Sequence, residues 1–250
     1  REQNGNVMGE IGGLKAGKMN VVEKVNADFS IITKKFYDAV ERSKEWTRIV
    51  LSDEQLEKVN GSEEGKNFLA VLTQLQQYQP KSCDEEVQQI KTICSAHGWD
   101  PTRFSIYGVT PASTFLDLFE EIRSKEILDW NVPGGRFVVL GSSVGWMAFY
   151  AYFLLHFREI LGVEIVPHRA SFSQQVAHEH GLGPELQFQA MNALDVDFQG
   201  VRVIWDSVGF GDMPRGAVLR KAATEAPAGA LLVTYEALPA ACVERLPLAG

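Results

Sequence analysis

The 250-residue chain is poor in cysteine, in positive charge and in long apolar runs. Its three cysteines, Cys83, Cys94 and Cys242, are odd in number, and their spacing matches no zinc pattern. A disulfide framework is excluded, no metal site is expected, and an intracellular, reducing compartment is the simplest reading. Lys and Arg number 24 against 32 Asp and Glu, a formal charge of −8. A surface committed as a whole to nucleic acid is therefore not indicated. No apolar run reaches the roughly 18–20 residues of a membrane span. The nearest, Trp146–Phe157, reads as a helix buried against a sheet, with His156 a satisfied core histidine. No histidine follows His180, so Gly141-Ser142-Ser143-Val144-Gly145 lacks the downstream partner that a hydrolase nucleophile elbow needs.

Residues 1–19 are Gly-rich and polar and read as a flexible lead-in. Gly12 to Met19 nearly matches a phosphate loop, but Met19 stands where the magnesium-binding hydroxyl belongs. Residues 20–103 read as a helical region. Val25, Phe29, Ile32, Phe36 and Val40 form one stripe, and Phe68, Leu69, Leu72 and Leu75 a second. Ser82 to Glu85 has capping-box spacing, with Val87, Ile90 and Ile93 following on one face and Gly98 at the end. Such stripes pack a core or, alternatively, bind a protein partner. His178-Glu179-His180 reads as an exposed polar helix end, since the two histidines point about 200° apart on a helix. The chain begins on Arg1 and stops in mid-pattern at Gly250, which reads as a fragment or processed product, so the organelle stays unassigned.

Residues 104–250 change character. Phe137–Leu140, Leu161–Ile165, Leu186–Ala190, Val201–Trp205 and Ala230–Tyr235 read as strands separated by helical segments. That alternation implies an α/β fold with a parallel sheet covered on both faces. Phe137 to Gly145 is a strand running into a small-residue turn and a helix start, which suits close approach of a cofactor backbone. The next strand ends on Glu164, about 20 residues later, where a ribose-binding acid belongs.

These segments resemble the non-SET histone-lysine methyltransferases of the disruptor-of-telomeric-silencing family. Ile106-Tyr107-Gly108-Val109 is similar to its Tyr-Gly-Glu segment, and Phe137–Gly145 to its Asp-Leu-Gly-Ser-Gly-Val-Gly turn. Gly162-Val163-Glu164-Ile165 is similar to its second strand, and Val203–Gly211 to its Asn-Asn-Phe segment. Pro227–Val233 matches a turn and strand common to class I methyltransferases. The resemblance covers a little over half the chain. It implies a Rossmann-like class I methyltransferase sheet, incomplete at its C-terminal end, preceded by the helical region. It also implies S-adenosyl-L-methionine (SAM) as cofactor. Tyr107, Gly141, Ser142, Gly145 and Glu164 would bind SAM, with Asn192 and Ala193 bracketing the adenine. Asp206 and Phe210 would line the acceptor side, Asp206 as a general base. The implied function is methyl transfer to an unidentified acceptor, a protein among the candidates. The alternative is a catalytically degenerate scaffold or assembly subunit.

The departures from that family carry charge. Val109 and Val139 stand where the family has acids, and Ser143 stands for its middle glycine. Asp206-Ser207 replaces its paired Asn, and Asn192 replaces the adenine-binding acid, with Asp195 three residues on. Asp117 and Asp212 are the nearby acids that would compensate. Trp146 stands at the mouth of the turn in place of a small polar residue, where it would narrow the pocket.

Overall fold

The computed structural model describes residues 20–23, 51, 57, 59, 61–78, 84–99, 110–128, 134–207 and 215–234. Elements are numbered over these residues. Five strands form a parallel sheet: β2 (Arg136–Leu140), β3 (Ile160–Glu164), β4 (Leu186–Ala190), β5 (Val201–Asp206) and β6 (Leu231–Thr234). β1 (Asn20–Glu23) lies antiparallel on β6, giving the order β1-β6-β5-β2-β3-β4. Asn20–Glu23, in the segment read from sequence as helical, forms a strand. In its register, Val21 pairs with Val233 and Val22 with Leu232.

The parallel strands are apolar because both sheet faces are covered. β2 and β3 are buried almost throughout, whereas the edge strand β4 alternates: Leu186 and Phe188 inward, Gln187 and Gln189 outward. The outward backbone of β4 is not left bare. Phe188 donates its N–H to Gln174 Oε1 at 3.0 Å, and Leu186 donates to the Gly183 carbonyl.

One face carries Phe137, Val139, Ile160, Val203, Trp205, Leu231 and Val233. Over it lie α3 (Ala112–Ser124), α4 (Trp146–Leu155) and α5 (Pro167–Glu179). α3 docks through Phe115 and Phe119, one turn apart, whose rings lie 5.2 and 6.4 Å from that of Trp205. α4 is buried almost all round because α1 (Glu63–Gln76) covers its far side through Phe68, against Tyr150 and Phe153. The stripe Phe68, Leu72, Leu75 is thus core within the chain, as the packing alternative holds. The other face buries Val138, Leu140, Leu161, Val163 and Ile204 under Val218 and Ala222 of α6 (Arg215–Glu225) and under Val196 and Phe198.

α2 (Asp84–His97) meets the start of α5 through a buried ion pair. Arg169 Nε and Nη2 each reach Glu86 Oε1 at 2.8 Å, and the Tyr78 hydroxyl donates to Glu86 Oε2. Gln89 Oε1 accepts the His168 N–H at 2.8 Å, capping a helix whose own Val166 N-cap offers no side chain. α4 ends at Leu155, two residues sooner than expected, because His156 turns left-handed (φ 55°). His156 is therefore exposed and not a core histidine.

Among the described residues, no helix is long and apolar enough to cross a membrane. Phe115 has no exposed surface and joins α3 to both Tyr150 and Trp205. Phe115→Ala should destabilise the fold by about 3–5 kcal/mol, read as a fall in the denaturant midpoint with an unchanged slope.

Candidate functional site

Strand order reverses between β2 and β5. β2 leads through α4 and α5 on one face to β3 and β4, and α6 crosses on the other face to β6. Ligands of such sheets bind beyond the carboxyl ends of the strands at that reversal. Four segments meet there: the turn 141–145 after β2, residues 164–166 after β3, 191–195 after β4, and Asp206-Ser207 ending β5.

The turn is built from left-handed residues: Gly141 (φ 68°), Ser143 (φ 52°) and Gly145 (φ 93°). Ser143 holds that conformation with a side chain, at a cost of about 1–2 kcal/mol. Ser142 donates its N–H to the Val163 carbonyl, and Gly145 donates to that of Ser142, both at 2.8 Å. Gly145 then caps α4 with no side-chain bond, so the first turn of that helix presents backbone N–H groups.

Glu164 ties the segments together. Its side chain is buried, 5% exposed. Oε2 accepts the Ser143 N–H at 2.8 Å, and Oε1 accepts the Val166 N–H at 3.0 Å. Its own carbonyl accepts the Met191 N–H at 3.0 Å, which brings in the segment holding Asn192. A carboxylate has about four acceptor positions, so two remain for a ligand. Asn192 is half-buried and caps the 3₁₀ turn Ala193–Asp195, its Oδ1 accepting the Leu194 N–H at 3.0 Å. One Oδ1 lone pair and the Nδ2 donor are left to a ligand.

Among the described residues, three buried polar atoms near the turn have no hydrogen-bond partner: Ser142 Oγ, Ser143 Oγ and Trp146 Nε1. Buried polar groups are rarely orphaned, and three of them around one turn at the switch point suit a polar ligand. Trp146 itself is 7% exposed and packs edge-on to Tyr150 in the core.

Asp206 is 1% exposed, and Thr234 Oγ1 donates to its Oδ2 at 3.4 Å. Ser207 donates its N–H to the Leu140 carbonyl, holding the end of β5 against β2. Tyr107, Val109, Phe210 and Asp212 lie outside the described residues, and Asp117 is exposed on α3. Val139 is buried on the sheet face beside Trp205, its register partner.

Sequence reasoning missed Phe188. A Cβ at Gly162 would lie 2.5 Å from Phe188 Cδ1, and one at Gly145 would lie 2.7 Å from Phe188 Cε1. Both glycines make room for this ring behind the turn. The inward alternation of Leu186 and Phe188 was the available signal, but its target was not.

Among the described residues, no group of three or more His, Cys, Asp or Glu is placed to hold a metal. No protein-family model and no curated protein matches the chain. Some solved structures are similar in part. The YcgJ protein of Bacillus subtilis is 20% identical over 43% of this chain and 44% of its own, with a TM-score of 0.34. Geranyl diphosphate C-methyltransferase of Streptomyces coelicolor, solved with S-adenosyl-L-homocysteine, is 19% identical over 45% and 41%, with a TM-score of 0.36. A SAM-dependent methyltransferase of Clostridium acetobutylicum is 10% identical over 48% of each chain, with a TM-score of 0.39. The chain thus matches less than half the length of each. Likenesses of this size add no weight to the strand order from which the fold is read.

Glu164→Gln turns an amide NH₂ toward one of two backbone N–H donors. It should cost about 1–3 kcal/mol of stability with no ligand present. Gly145→Ala combines a left-handed backbone with a clash against Phe188 and should cost about 2–4 kcal/mol. Chemical denaturation of each variant measures both; wild-type midpoints would contradict the geometry.

Proposed function

We propose that the chain is the cofactor-binding part of a SAM-dependent methyltransferase, with SAM held at the turn after β2. The observation that carries this reading is Glu164, a buried carboxylate at the end of the second parallel strand that is bonded to the turn and keeps two acceptor positions. Those positions suit a pair of ribose hydroxyls. The orphaned hydroxyls of Ser142 and Ser143 fit a polar ligand at the same turn. Gly141 and Gly145 shape its backbone. Asn192 and Ala193 would border the adenine, with Nδ2 of Asn192 donating to a ring nitrogen. SAM, when bound, supplies an electrophilic methyl group on a sulfonium. The chain's part is to align an acceptor and exclude water, and buried Asp206, at the end of β5, is the carboxylate placed to hold an acceptor proton.

Val109 and Val139 remove two negative charges that a cationic cofactor would meet. At about 1.5–3 kcal/mol for each lost charge-assisted bond, affinity should be about 100-fold or more below that of a site retaining them. The acceptor is not assigned to a histone lysine, because Asp206-Ser207 replaces the paired Asn of the family that the sequence resembles. A second reading is a catalytically degenerate scaffold, favoured by the two backbone N–H groups that already occupy Glu164. Partner contacts would then fall outside the α1 stripe, which is buried against α4.

Calorimetry with SAM and S-adenosylhomocysteine on the folded chain tests the proposal. Glu164→Ala is a poor control because Glu164 also holds the turn. Ser142→Ala is the better one: it removes an orphaned hydroxyl, so stability should stay level or rise, while affinity should fall about 5–20-fold. No heat at millimolar ligand from a chain with native circular dichroism would refute the methyltransferase reading.

A further inference from the structure

The histidines of this chain are not used by the candidate site, yet three of the five stand where α1 and α2 meet the α/β domain. His156 Nδ1 lies 3.7 Å from Glu64 Oε1 on α1, and His168 Nδ1 lies 3.9 Å from Glu85 Oε2 on α2. The third, His180, closes α5 and is half-buried against α1. Its Nδ1 is 2.8 Å from Asn67 Oδ1, and its Nε2 is 2.8 Å from Gln74 Oε1.

The orientation of both amides is set at their other ends. Asn67 Nδ2 donates to the His180 carbonyl at 3.1 Å, so Oδ1 is the atom left to face the ring. Gln74 Nε2 donates to Glu179 Oε2 at 2.6 Å, so Oε1 is left in the same way. Flipping Asn67 would set its oxygen against a carbonyl, and flipping Gln74 would set its oxygen against a carboxylate. Both ring nitrogens therefore meet acceptors. A neutral imidazole donates from one nitrogen and repels at the other; only an imidazolium satisfies both.

We propose that this contact is a proton-operated latch: His180 holds α1 against the end of α5 only while both of its ring nitrogens carry protons. On α5 the neighbouring titratable groups are Glu179 and His178; from α1 the facing groups are the neutral amides of Asn67 and Gln74. Hydrogen bonds from Gln175 and Gln74, with the nearby His180 and His178 charges, hold the Glu179 carboxyl below the usual carboxylate range. The sign follows. A lowered carboxylate contributes stability above its unfolded range and loses it as pH falls through its folded range, when Gln74 is no longer pinned. The imidazolium contribution is lost in the other direction, as pH rises and the ring gives up a proton. The latch is closed between these limits.

Its position gives it reach. α1 packs on α4 and α5. α4 begins at Gly145, and α5 begins beside Val166, the residue bonded to Glu164. Losing a His180 bond therefore weakens the seating of α1 on the two helices whose first turns border the candidate site. This holds whichever ligand that site takes.

The full chain with ¹⁵N-labelled histidine tests the latch by two readouts. Ring-nitrogen spectra should show His180 carrying protons at both positions over the pH range in which α1 is protected. Hydrogen exchange of the Phe68, Leu72 and Leu75 amides, corrected for intrinsic rates and referred to α6, should accelerate about tenfold as the proton is lost, the worth of one charge-assisted bond. Glu179→Gln frees Gln74 to turn and donate to a neutral ring, so α1 should stay protected and its pH dependence should vanish. A single neutral tautomer while α1 stays fully protected, a pH-independent wild-type α1, or an undiminished pH dependence in Glu179→Gln would each overturn the proposal.

Discussion

Two backbone N–H groups converge on one buried carboxylate, and the functional end of the sheet depends on that convergence. Glu164 receives Ser143 from the turn after β2 and Val166 from the start of α5. The first bond holds a left-handed serine in a turn where glycine would be easier. The second satisfies a helix start that has no side-chain cap of its own. The carboxylate thus receives charge-assisted bonds at both oxygens. The same carboxylate keeps acceptor positions beyond those two bonds.

Aromatic packing sets the shape around it. Trp205 anchors α3 over the centre of the sheet through Phe115 and Phe119. In the same row across the sheet, Phe188, Gly162, Val139, Trp205 and Val233 are successive register partners. The missing side chain at Gly162 is the space that Phe188 fills, and the ring then backs the turn at Gly145. A valine at 139 is consistent with this row, since an acid there would be buried beside an indole.

The helical cover is attached differently. α1 contributes an apolar stripe and α2 sets Cys94, Ile90 and Ile93 against Val166, but polar contacts join them to the domain as well: Glu86 with Arg169 and Tyr78, Gln89 with the His168 N–H, and the amides around His180. Buried ion pairs and amide networks hold one geometry well and add little net stability. Such a joint fixes the register of the helices on the sheet, while the apolar stripe of α1 supplies the burial.

Much of the α/β half was legible in the sequence. The strand-like runs separated by helical lengths gave every parallel strand to within a residue or so, because the inner strands, buried on both faces, must be apolar, and the edge strand β4 keeps the period-two alternation of a half-buried strand. Gly141, Gly145 and Glu164 stood out because a turn at a strand end and an acid on the next strand are local patterns. Tertiary structure decided what those residues touch. Glu164 was legible as an acid at the end of the second strand, but the N–H groups of Ser143 and Val166 reach it only once β2 and β3 are paired. His178-Glu179-His180 read as an exposed polar end, yet His180 meets Asn67 and Gln74 more than 100 positions away. β1 was missed because four residues take strand form only when the edge of β6 offers them partners. Periodicity and turn chemistry are written into neighbouring residues. Which polar group satisfies which other is settled only when distant segments are brought to hydrogen-bonding distance.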